Sequence, residues 1–313
     1  MMSGFIGPTR SRTPLKWRLE RLAVRHRVPK IFFTNTSCEY WRGDASLIHT
    51  DATGTRDIEP IASSRFYHFA GTQHSAGTLP LTDTNPQNGE RGQQALNSVD
   101  YNPLLRALLV RMDYWVSQGE APPASRYPRL ADGSAVAPET VKAVVATIPG
   151  VGFPAHPPQV TRLDFGREAA NGVATTLPPR EGEAYPHFVP SVDPDGNELS
   201  GIRLPDVTVP LATYTGWNLR HSQIGAPERL MSLIGSTIPF PATEGQRAAK
   251  GDPWRSIAVR YPGKAAYLDE VSHAAKRLID AGYVLPEDLE RILAQSARRW
   301  DLLASAPEAA AAQ

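Results

Sequence analysis

Two ionisable residues follow two short apolar runs early in the chain. Ile31-Phe32-Phe33 leads through Thr34-Asn35-Thr36-Ser37 to Glu39, and Phe66-Tyr67-His68-Phe69-Ala70 leads through Gly71-Thr72-Gln73 to His74. Histidine is the side chain that changes charge nearest neutral pH, so it can take and return a proton. A carboxylate beside it fixes its tautomer and stabilises the imidazolium. An acid followed by a histidine is the second half of the Ser…Asp/Glu…His order used in acyl transfer. Each residue also has a plainer reading. Glu39 fits the solvated first turn of a helix capped by Thr36 or Ser37, and His74 fits a loop histidine satisfied by its surroundings.

Other residues compete for attention. His49, Asp51, His68 and His74 lie close in sequence and could converge on a metal, but they form no HExxH and no close His-x-His pair. His68 falls inside an apolar run and reads as a core histidine. The acidic stretch 192–198, VDPDGNE, lacks the full spacing and terminal glutamate of a calcium loop. Asp195-Gly196 makes it a hairpin turn instead. Tyr214, Trp217, Asn218 and Arg220 follow the apolar run VTVPLA, and Trp217 with Asn218 could line a substrate pocket. The same Trp217 reads equally as a hydrophobic anchor, with Arg220 paired to a carboxylate. Cys38, the only cysteine, has neighbours that offer neither a helix N-terminus nor a basic cluster to activate it, and it reads as a buried, inert thiol.

These residues must be placed by ordered elements. The runs at Ile31 and Phe66, rich in aromatic and branched residues, are expected to be buried strands whose carboxyl ends carry Glu39 and His74. A helix is expected from Pro103 to Gln118, with Leu104, Leu105, Leu108, Met112 and Trp115 at helical spacing and Gly119 ending it. Beyond Ala121, prolines and glycines separate short β-like runs at Gln159–Phe165, Tyr185–Val192 and Gly201–Pro210. Two amphipathic helices are expected at Ala265–Ala281 and Pro286–Leu303. Four segments follow from this reading: an atypical basic arm over 1–29, a core over 30–120, a β-rich and then helical appendage over 121–304, and a disordered tail over 305–313.

TNTSCEYW, ASLIHTD, AGTQH, SRYPRLADG and PLATYTGWNLR, in that order, resemble a bacterial family of α/β hydrolase domain-containing proteins. The resemblance runs from about Lys30 to Trp300. It implies an α/β fold of the hydrolase type, serine-hydrolase chemistry on an ester or acyl substrate, and Glu39 and His74 at the family's acid and base. Members carry their serine upstream on a Gly-x-Ser-x-Gly/Ser elbow, and no serine of this sequence stands in that motif. The chain therefore reads as the C-terminal portion of such a hydrolase: an incomplete fold holding its last strands and helices, with residues 30–120 belonging to the hydrolase core. The other class of reading is a non-catalytic substrate-binding or interaction protein.

The chain has 313 residues, 41% hydrophobic and 21% charged, enough for a large core and too apolar for a disordered chain. A net charge of +1 gives no basis for nucleic acid or an anionic membrane as partner. A single cysteine excludes an internal disulfide. No apolar run reaches the roughly 20 residues that span a bilayer, and no signal-peptide core opens the chain. The expected partner is a small molecule, without a cofactor, in the cytoplasm by default.

Overall fold

A computed structural model describes Leu22 and residues 28–304. The tail 305–313 lies outside the described residues, as does the basic arm except Leu22 and its last two positions.

The chain pairs its two aromatic-rich runs in parallel. β1 (Ile31–Thr36) and β2 (Ser64–Phe69) run in register from Ile31 opposite Ser64 to Thr36 opposite Phe69. Parallel strands need a crossover. Here it consists of the short helix α1 (Ser37–Trp41), a 3-10 turn at Ala45–Ile48 and a loop closed by the Thr50–Asp57 bridge. The far edge of β2 is covered by backbone pairing with Arg126 and Ile202. Among the described residues, β1 pairs with no strand on its other edge.

β3 (Ala95–Leu96) leads into α2 (Asn102–Ser117), which starts with Pro103 in its first turn and buries Leu104, Leu108 and Trp115. Leu105, expected in the core, is 41% exposed. It lies one position beyond Leu104 on the helix, about 100° around the axis, and so points away from the packed face.

Beyond residue 121 the strands are short. β4 (Ala135–Val136) precedes α3 (Pro138–Val145), β5 (Thr161–Asp164) pairs with β6 (Arg180–Ala184), and β7 (Val189–Pro190) pairs back to β4. The run expected as β at Gly201–Pro210 holds instead a helical turn, α4 (Pro205–Thr208). Leu204 is extended and Pro205 occupies the first helical position, where its missing N–H costs nothing. The strand follows it, as β8 (Ala212–Thr215), and joins β9 (Ser236–Pro239) and β3 in the antiparallel order β3-β9-β8. Short helices α5 (Glu244–Lys250) and α6 (Ile257–Arg260) lead to α7 (Lys264–Asp280) and α8 (Leu289–Leu303), close to the expected spans.

One hydrophobic core joins these pieces. It contains Tyr67 and Phe69 of β2, Leu104 and Leu108 of α2, Tyr214 of β8, Ile238 of β9, and Tyr267, Val271 and Ile292 of the last helices. A smaller core gathers Tyr40 and Trp41 of α1 with Val141, Val145, Val189, Trp217 and Leu219. Residues on both sides of position 120 thus pack into the same interior.

Candidate active site

α1 begins where β1 ends because Thr36 is extended and Glu39, three residues on, reaches back to it. Glu39 Oε2 accepts the Thr36 backbone N–H at 2.7 Å and also the Thr36 hydroxyl. This is the glutamate arm of a capping box. The other oxygen, Oε1, lies 2.6 Å from His74 Nδ1. The solvated-cap reading of Glu39 and the acid reading thus describe the same side chain, one oxygen each.

The turn that carries His74 is held at several points. Gly71 has φ +68°, and a Cβ there would lie 2.8 Å from Val207 Cγ2, so only glycine fits without displacement. The Thr72 hydroxyl donates to Phe69 O at 2.7 Å and its N–H to Ser37 Oγ at 3.1 Å. Gln73 Oε1 accepts Gly235 N–H at 3.1 Å. His74 N–H donates to Leu233 O at 3.3 Å, and the Tyr101 hydroxyl donates to His74 O. The backbone is fixed on both sides of the ring, while the imidazole side chain remains 54% exposed. A carboxylate can only accept, so the contact is a hydrogen bond when Nδ1 carries a ring proton, and in that neutral tautomer Nε2 is the acceptor nitrogen.

One hollow is lined by the pair itself and a second by neighbouring residues. The first, about 290 Å³, is bounded by Thr34, Thr36, Glu39, His74, Tyr101 and Leu105. The other, about 330 Å³, is walled by Trp41, Trp217, Met231 and Leu233 above Cys38, with Arg42 at its rim. Leu233 connects the second hollow to the pair: it is among the residues that line the hollow, and its carbonyl accepts the His74 N–H. Leu233 has φ +64°, a conformation that costs a bulky residue energy and is kept only where the surroundings impose it.

Trp217 is 3% exposed and stacks edge-on with Trp41 and Phe153. Asn218 is fully buried and lines neither hollow. Its amide bonds the backbone of Gln94 on both sides, holding the loop before β3. Arg220 pairs with Glu90 at 2.9 Å. Cys38 is 3% exposed, and burial, aided by the adjacent Glu39 charge, pushes its thiol up to about 12.

The residues weighed for a metal each have other partners. His49 Nε2 meets the Tyr40 hydroxyl at 2.9 Å, His68 Nε2 meets Glu198 at 2.8 Å, and Asp51 accepts from Thr53 and Thr55. Among the described residues no three His, Cys, Asp or Glu side chains gather as a metal set. In the 192–198 turn, Asp193 accepts the N–H groups of Asp195 and Asn197, and Asp195 receives both arms of Arg260 at 2.6 and 2.7 Å. The carboxylates that a calcium ion would need are already bound there.

Sequence reasoning passed over Tyr101, Leu233 and Glu198. Tyr101 stands just before a helix start and Leu233 in a loop far along the chain. Glu198 ends a turn whose signal is explained by Asp195-Gly196, so the sequence offers no pattern that singles it out.

A family model described as an alpha/beta hydrolase domain matches residues 6–294. The chain belongs to this α/β-hydrolase family. The match starts inside the basic stretch that the motif resemblance left out. No curated protein and no solved structure matches the chain.

Proposed function

We propose that this hydrolase-family chain supplies the acid, Glu39, and the base, His74, of a Ser-His-Glu triad that cleaves a small ester or related acyl substrate. The observation that carries this reading is the 2.6 Å contact between the two side chains at adjoining ends of two parallel strands. In the reaction His74 Nε2 takes the proton of an attacking serine hydroxyl and returns it to the leaving group. Glu39 stabilises the imidazolium between those steps. The hollow walled by Trp41, Trp217, Met231 and Leu233 takes the apolar side of the substrate. Asn218 supports that wall through its backbone carbonyl, which accepts the Met231 N–H at 2.8 Å. The serine comes from a strand added at the edge of β1 that no strand of the described residues covers, since none in this sequence occupies an elbow motif.

The test is to express the chain together with any in-frame polypeptide encoded upstream of its start. The longer protein should hydrolyse short p-nitrophenyl esters, and His74→Ala should abolish turnover. Full activity in His74→Ala would remove the base from the scheme. Trp217→Ala should raise KM more than it lowers kcat, the pattern of lost uniform binding.

A further inference from the structure

A second ionisable cluster lies beneath the pair. Glu198 is 3% exposed, and His68 and Ser37 are fully buried. A single oxygen, Glu198 Oε2, accepts the Ser37 hydroxyl at 2.7 Å and the Gly71 N–H at 2.8 Å, and stands 2.8 Å from His68 Nε2. The other ring nitrogen of His68 lies 3.3 Å from the Asn35 carbonyl. By residue type this is a serine, a histidine and a glutamate, but no substrate reaches side chains this deeply buried. The Ser37 hydroxyl donates a hydrogen bond to the carboxylate and accepts the Thr72 N–H at 3.1 Å.

What the cluster touches is informative. Ser37 opens α1, and Glu39 lies two residues along the same turn. Gly71 and Thr72 open the turn that ends at His74. Glu198 Oε2 thus binds the start of both segments whose ends meet in the Glu39–His74 contact. Glu198 is itself held by the hairpin bridge to Val192, and its neighbour Asn197 bonds the backbone of Ala212 and Tyr214 in β8. The tie therefore refers both segments to the second sheet. A buried carboxylate is costly unless donors surround it. An apolar side chain would fill the volume but could not fix three donors at one point.

We propose that Glu198 is a positioning residue that holds α1 and the His74 turn in register, so that Glu39 Oε1 meets His74 Nδ1. This rests on the reading of Glu39 and His74 as an acid–base pair, and the two can fail separately. The measurement is histidine ring ¹⁵N NMR on the full 313-residue chain over a pH series, where the shifts report the ring's charge state and, once it is neutral, which nitrogen carries the proton. His74 should be mainly the Nδ1–H tautomer, and Glu39→Ala should shift it toward Nε2–H. Glu198→Gln should shift it the same way while the chain keeps its circular dichroism and cooperative melt. Adding Glu198→Gln to Glu39→Ala should shift it no further. Ser37→Ala, which removes one arm and keeps the carboxylate, should produce a smaller shift in that direction and serves if Glu198→Gln does not fold. A lowered melting temperature with an unchanged His74 tautomer in these variants would overturn the positioning role and leave the pair intact. An unchanged tautomer in Glu39→Ala would overturn the pair, and the inference with it.

Discussion

Glu39 gives one oxygen to the start of α1 and the other to His74, so its two roles respond differently to substitution. Glutamine can still accept the Thr36 N–H, because Glu and Gln both serve at this position of a capping box. It cannot balance an imidazolium. Alanine removes both functions. Glu39→Gln should therefore leave stability within about 0.5 kcal/mol of the parent, whereas Glu39→Ala should lose about 1 kcal/mol, the usual worth of such a cap. Urea denaturation of the two variants checks this, and no loss in Glu39→Ala would show that the cap adds nothing. Glu39 and His74 were legible in the sequence because each follows an apolar run by a polar turn of a few residues. Leu233 and Tyr101, which hold the His74 backbone, were not. Leu233 acts through its main-chain carbonyl, which leaves no mark on residue type, and the Tyr101 hydroxyl reaches a main-chain carbonyl 27 positions away, a pairing that no local pattern signals.

At the scale of elements, the two six-residue strands and the long helices were readable and the small antiparallel sheet was not, although β1, expected to be buried, is only partly so because one of its edges is uncovered by any strand of the described residues. β1 and β2 are six residues each, and α2, α7 and α8 each run for several turns, so hydrophobic patterns had room to show. β3 has two residues, β8 and β9 four each, and β3 and β9 are separated by more than a hundred positions. Strands that short carry no period, and their pairing is set by tertiary contacts. Gly216, in the turn after β8, shows how closely such contacts bind the site. A Cβ at this position would lie 2.4 Å from the Ser37 carbonyl carbon and 2.5 Å from its Cβ, so β8 and α1 meet backbone against backbone. Gly216→Ala should cost about 1–3 kcal/mol, the range for overpacking, because neither partner is a flexible side chain. Unaltered thermal and chemical denaturation of that variant would show that the two elements do not approach so closely in solution.

Across the whole molecule, acid stability should be governed first by a buried histidine. His49 is 1% exposed, and burial lowers its pKa from an ordinary 6.5 to about 4, although the nearby Asp57 charge opposes the shift. The unfolded chain binds a proton between those pH values that the folded chain refuses. The stabilisation is complete above about pH 6.5 and is lost as the pH falls to about 4, roughly 3 kcal/mol in all. His187, lowered mainly by its burial, acts in the same direction. Asp83, held below its usual range by the Arg91 hydrogen bond, adds losses only at lower pH. His49→Phe should flatten the decline of melting temperature between pH 6.5 and 5, and an unchanged slope would exclude His49 as its source. The hydrolase reading makes the sharpest demand on the molecule as a whole. An acid and a base without a nucleophile perform almost no acyl transfer, since removing the serine of a triad costs about as much as removing all three members, on the order of 10⁶ in rate. Ser37 lies nearest Glu39 in sequence, but it is fully buried and bound to Glu198. Ser75 adjoins His74 but lies in no strand-to-helix elbow of the kind that exposes a nucleophile. The purified 313-residue chain should therefore show negligible turnover of p-nitrophenyl esters and no adduct with a fluorophosphonate probe, read by intact-protein mass spectrometry. An adduct mapped by peptide sequencing to a serine of this chain would place the nucleophile within it, and no strand added beside β1 would be needed to supply one.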